Sequence, residues 1–176
     1  MLLGCSVLFL LAACEPTTSK TTSSKEQQLA PITELEQKLR TQQDVSLDTT
    51  TANALIKQSL NYIKTYPADS ISGELLFKAA DVSRGIGHYQ DAVDLWDRFY
   101  REYPTHKKAP IALFLKAFTA DKDLQDSGAA SAYYENFLQK YPDHDQAKDA
   151  RLLLDILRND QSPEELIKQF QQNNQE

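Results

Sequence analysis

The stretch Asp91–Pro104, DAVDLWDRFYREYP, decides the fold, because two other stretches echo it: Ala54–Pro67, ALIKQSLNYIKTYP, and Ala129–Pro142, AASAYYENFLQKYP. Each closes on Tyr-Pro, and the three prolines fall 37 (104 − 67) and 38 (142 − 104) residues apart. Self-similarity at such a spacing marks stacked supersecondary units. At the offset of 38, Ala92, Leu95, Trp96, Phe99 and Tyr103 answer to Ala130, Tyr133, Tyr134, Phe137 and Tyr141. Steps of three, one, three and four place those residues on one helical face. The first copy is weaker, with Leu55, Gln58, Ser59, Tyr62 and Tyr66 in the same columns.

Working outward, each Pro is followed by a short polar turn and a second helical pattern, at Gly73 to Val82, Ala109 to Ala120 and Ala147 to Leu157. Pro ends one helix and opens the next. Ala109 and Ala112 match Ala147 and Ala150, while Phe77, Phe114 and Leu152 share a column. Small residues along one face let a helix approach its neighbour closely. Beyond the repeats, Pro31 to Gln42 is short and amphipathic, and Ser162-Pro163-Glu164-Glu165 has the chemistry of a helix start. Both would cap the stack. The end, residues 173–176, is expected to fray.

The run Gly87-His88-Tyr89-Gln90-Asp91-Ala92, followed by Trp96, Phe99 and Pro104, resembles the second half of the tetratricopeptide repeat. A period near 37, and Phe99, Phe137 and Tyr62 where that motif has a small residue, are similar to the longer repeats of periplasmic lipoproteins. Such lipoproteins include the outer-membrane β-barrel assembly lipoprotein and the coordinator of the Tol-Pal system. In the third copy QDSGAA, Gln125 to Ala130, replaces the usual turn. The resemblance implies an all-α fold: about three antiparallel helix pairs in a right-handed superhelix, clearest over 50–158 of a domain spanning 31–172. It also implies that Glu74, Lys78 and Asp81, then Lys108, Leu115 and Phe118, face a groove that binds a partner protein or peptide.

The start of the chain carries an address. Met1 to Cys14, MLLGCSVLFLLAAC, is apolar, ends in small residues and is too short to span a bilayer. Leu11-Ala12-Ala13-Cys14 resembles the lipobox of bacterial lipoproteins, which implies a signal peptide over 1–13 and a lipid on Cys14. Two or three acyl chains anchor a protein firmly, at about 0.8 kcal/mol per buried methylene. Residues 14–30, poor in apolar side chains after the cysteine, are expected to form a flexible tether. The resemblance then implies a lipid-anchored envelope protein at the outer membrane, facing the periplasm. Removal of Cys5 with the signal would leave no thiol available for a disulfide.

Composition narrows the function classes. The 176 residues carry 19 basic and 25 acidic side chains, a net −6, with no basic run, which removes the electrostatic footprint of nucleic-acid binding. Five glycines and seven prolines are too few for the tight turns of a sandwich or barrel. No Walker loop, dinucleotide fingerprint or nucleophile elbow occurs. His88, His106 and His144 are the only histidines; the latter two are repeat equivalents, expected as polar residues at helix starts rather than metal ligands. Neither catalytic residues nor a cofactor are expected. The aromatic columns, Trp96 included, read as core rather than as a sugar-stacking platform. The resemblance implies an envelope adaptor acting through protein contacts, in outer-membrane protein assembly or the coordination of envelope machinery. The alternatives are a self-assembling spacer, a homo-oligomer built through its end helices, or a small-ligand receptor or enzyme with an inter-helix pocket.

Overall fold

A computed structural model describes residues 24–41 and 48–159 of the protein. The expected signal segment with Cys14, the first part of the tether, and the capping sequence from Ser162 with the tail lie outside the described residues. The elements are α1 (Ser24–Thr41), α2 (Thr49–Thr65), α3 (Ser72–Gly85), α4 (Tyr89–Glu102), α5 (Ala109–Lys122), α6 (Ser127–Lys140) and α7 (Ala147–Asn159). Among the described residues there is no strand, and the fold is all-α. The substantial helix contacts all join chain neighbours, so the helices form three successive pairs with α7 following.

The echoed segments form α2, α4 and α6, and their columns are the interior. Tyr62, Trp96, Phe99, Tyr134 and Phe137 are fully buried. Phe77 meets Phe99 edge-on at 5.4 Å, and one repeat later Phe114 meets Phe137 in the same way at 5.7 Å. The same edge-to-face geometry serves both repeats because the same columns supply the rings. Ala79, Ala80, Ala92, Ala109, Ala112, Ala117, Ala120, Ala130, Ala147 and Ala150 are buried between helices, as the small-residue columns imply.

Each Tyr-Pro ends its helix through one geometry. The backbone N–H of Tyr66, Tyr103 and Tyr141 donates to the carbonyl of Tyr62, Phe99 and Phe137 respectively, each at 2.8 Å. The ring then leans on the helix just completed, and Pro cannot continue the ladder. At the other end, α3 closes on Gly87, whose φ is +81°. His88 N–H donates to Ser83 O and Gly87 N–H to Arg84 O, which is the Schellman arrangement.

One expectation is corrected. The sequence predicts a tether over 14–30 and a helix opening at Pro31, whereas α1 begins at Ser24 and carries Pro31 in its interior. Residues 24–30 therefore belong to a helix of the domain. Pro31 removes one ladder hydrogen bond, but Leu29, Ile32, Leu35 and Leu39 pack on the core on one side of α1 and hold it against α2.

Candidate functional site

The helices alternate between two layers. Ion pairs stitch α1, α3 and α5 together as one layer, while α2, α4 and α6 form the other. On α3, Glu74, Lys78 and Asp81 fall at steps of four and three, and Arg84 three further on, so they share one face. Lys78 Nζ lies 2.5 Å from Glu36 Oε1 of α1. Lys108, just before α5, reaches Glu74 Oε2 at 2.7 Å while its ammonium sits 4.6 Å over the Phe77 ring. Arg84 Nε lies 2.6 Å from Asp123 Oδ2, just after α5, and its guanidinium stands 5.2 Å over Phe118.

The six residues expected at a groove thus take different parts. Glu74 and Lys108 pair with each other, and Lys78 pairs with Glu36. Leu115 is partly buried against the core, and Phe118 stacks on Phe114 at 6.1 Å beneath Arg84. Asp81 differs. It is exposed, and no ion pair or hydrogen bond to it is found among the described residues. Desolvation by surrounding protein nevertheless raises its carboxyl above the usual range, against the pull of Lys108 and Arg84. Glu74 shows the reverse: the hydrogen bond from Lys108 leads in lowering its carboxyl.

Glu36, Arg84 and Asp123 complete this charged face and were missed in the sequence. Arg84 was legible in principle, being three residues beyond Asp81 on the same helix. Glu36 and Asp123 sit on other elements, where spacing along one helix says nothing.

His106 and His144 also do more than open a helix. Each ring packs edge-on against a buried phenylalanine, Phe99 at 5.2 Å and Phe137 at 5.9 Å. Each Nδ1 accepts a backbone N–H two residues on, from Lys108 at 3.1 Å and from Gln146 at 3.4 Å. Among the described residues no group of three His, Cys, Asp or Glu side chains is placed to hold a metal, and no helix is long and apolar enough to cross a membrane.

Comparison with known proteins agrees with this architecture. Residues 74–106 and 111–144 match the tetratricopeptide-repeat family model, each match taking in one helix pair and its Tyr-Pro turn. The chain is 29% identical over 114 residues to the outer membrane protein assembly factor BamD of Xylella fastidiosa strain 9a5c, covering 55% of this chain and 39% of that protein. It has the same identity and coverage with the BamD of strain Temecula1. The chain spans about two fifths of the length of these curated relatives. The chain therefore carries tetratricopeptide repeats, stacked in an all-α fold of that type.

Proposed function

We propose that this protein is an adaptor of the bacterial cell envelope, without enzymatic activity of its own, that holds a partner protein against the α3–α5 face. It serves the assembly of outer-membrane proteins or the coordination of envelope machinery, faces the periplasm, and is anchored to the outer membrane by lipid on Cys14. The likeness to BamD supports the setting, and repeat stacks of this kind present extended faces suited to protein contacts. One observation carries the choice of face. Glu74, Lys78 and Arg84 are each engaged by a neighbouring element, whereas Asp81, exposed on the same helix face, has no ion pair or hydrogen bond among the described residues. A basic side chain of the partner would take that place.

The test is a photo-crosslinking residue in place of the exposed Gly85, one turn from Asp81 on the same helix face, in the native host, with a control at Asn136 on the other layer. Capture of one envelope protein from position 85 only, lost in an Asp81→Asn variant that keeps its circular dichroism, supports the reading. Capture of the chain itself moves the weight to a self-assembling spacer. Equal capture from both positions sinks the choice of face. For the anchor, Cys14→Ala should release the protein from membranes and abolish incorporation of labelled palmitate.

A further inference from the structure

Between α2 and α4, on the layer opposite Asp81, lies a cavity of about 250 Å³. Ile56 and Leu60 of α2 and Leu95 of α4 give it apolar walls, and His88, Asp91 and Asp94 stand at its rim. Asp91 is 71% exposed and approaches His88 only to 3.8 Å; Asp94 is exposed and accepts from Gln90 at 3.0 Å. No Lys or Arg lines it.

The repeat itself shows what fits there. One repeat later, the columns occupied by Leu60, Ala79 and Leu95 hold Asp97, Lys116 and Tyr133. In that interval the chain supplies its own filling: the Lys116 ammonium lies 4.0 Å over the Tyr133 ring and 2.6 Å from Asp97 Oδ1, with the lysine side chain only 13% exposed. A lysine stem lies on apolar surface and its head meets a carboxylate. In the α2–α4 interval the corresponding residue is the buried Ala79, which has no arm to extend. The cavity opens where Leu60 and Leu95 stand in the columns of Asp97 and Tyr133, and its carboxylates, Asp91 and Asp94, come from other positions on α4.

We propose that the α2–α4 cavity is a second docking site, which receives a lysine side chain presented by another protein. The stem lies on Ile56, Leu60 and Leu95, and the ammonium meets Asp91 and Asp94. The partner supplies from outside what Lys116 supplies from within one repeat later. The site is independent of the α3–α5 face, so either can fail without the other.

The experiment titrates the 15N-labelled protein with Nα-acetyl-lysine methylamide and, separately, with its norleucine counterpart, which keeps the stem and lacks the charge. The expected result is a saturable shift of the Ile56, Leu60 and Leu95 amides by the lysine compound only, weakened about fivefold to tenfold in an Asp91→Asn, Asp94→Asn variant. Leu95→Tyr, which places the next repeat's ring in the cavity, should abolish the shifts while leaving the rest of the amide spectrum in place. The proposal is overturned if no saturable shift occurs, if the norleucine compound binds equally, or if the shifts survive Leu95→Tyr.

Discussion

Lys108 Nζ and Glu74 Oε2, 34 residues apart in the chain, lie 2.7 Å apart across the boundary between two helix pairs. The pair is one of several that register α1, α3 and α5, and it is about two-thirds screened from solvent, with side-chain exposures of 32% and 37%. Hydrophobic columns set how deeply the helices pack. Charge pairs of this kind set how far one pair slides along the next.

Glu74→Gln should therefore lower stability by less than about 1 kcal/mol, because a partly exposed pair gains little beyond solvation. Urea titration of the variant and the parent, repeated in 1 M salt on the order of a 3 Å screening length, should show the difference shrinking. A difference that persists in salt would mean that Glu74 acts through packing.

Stability should hold across neutral pH and fail at both ends. Asp48 and Asp69 are lowered to about 2, led by hydrogen bonds from Thr51 and from the backbone N–H of Ile71, and Glu74 is lowered by Lys108. Depressed carboxylates stabilise the fold above their unfolded value and cease to do so as pH falls from roughly 4 towards 2. Burial raises Tyr62 to about 12 and also raises Tyr134, Tyr103 and Tyr141, so their contribution is present below roughly pH 10 and lost above it. Asp81 has the opposite sign to the other acids: its raised carboxyl favours the fold below its unfolded value and loses that contribution as pH rises. Asp81→Asn should accordingly unfold at a slightly higher temperature than the parent at pH 7 and lose the proposed partner.

Trp96, the single tryptophan, is fully buried and its Nε1–H has no partner among the described residues. Trp96→Ala should cost on the order of 3 to 5 kcal/mol, enough to unfold a domain of ordinary stability. Trp96→Phe should cost less than half of that, since the deleted N–H forms no hydrogen bond. Circular dichroism melts of the two variants check the ranking.

The turns between paired helices make a matched test. Gly87 has φ +81°, and 38 residues later Gln125 holds φ +55° at the same place in the repeat. A left-handed residue other than glycine costs about 1 kcal/mol. Gly87→Ala should lose roughly that much, and Gln125→Gly should gain up to about the same. Thermal midpoints that move together rather than apart would refute the equivalence of the two turns.

Most of this fold is readable in the sequence because its determinants are periodic. Tyr-Pro marks the helix ends, and Trp96 with Tyr134, or Phe99 with Phe137, mark the core by recurrence alone. Reading failed where periodicity is silent. The start of α1 was placed at Pro31, because a proline at a helix opening is the commoner arrangement and the packing of Leu29 on the core depends on tertiary contacts. The groove residues were assigned by helix phase, which puts Glu74, Lys78 and Asp81 on one face but says nothing of Glu36 or Asp123. Phe118 is held between Phe114 of its own helix and Arg84 of α3, a contact made by two helices that periodicity does not show. The α2–α4 cavity is lined by Leu60 and Leu95 where the next repeat has Asp97 and Tyr133, a difference visible only when two repeats are superposed.

Because the substantial helix contacts join only chain neighbours, closing each pair requires no distant part of the polypeptide. Such low contact order makes folding fast and lets it begin at any pair. A chain made from its amino end can complete α1 with α2, then α3 with α4, as each emerges. No exposed pair then waits for the carboxyl end, and the interval in which its aromatic face is open to aggregation stays short.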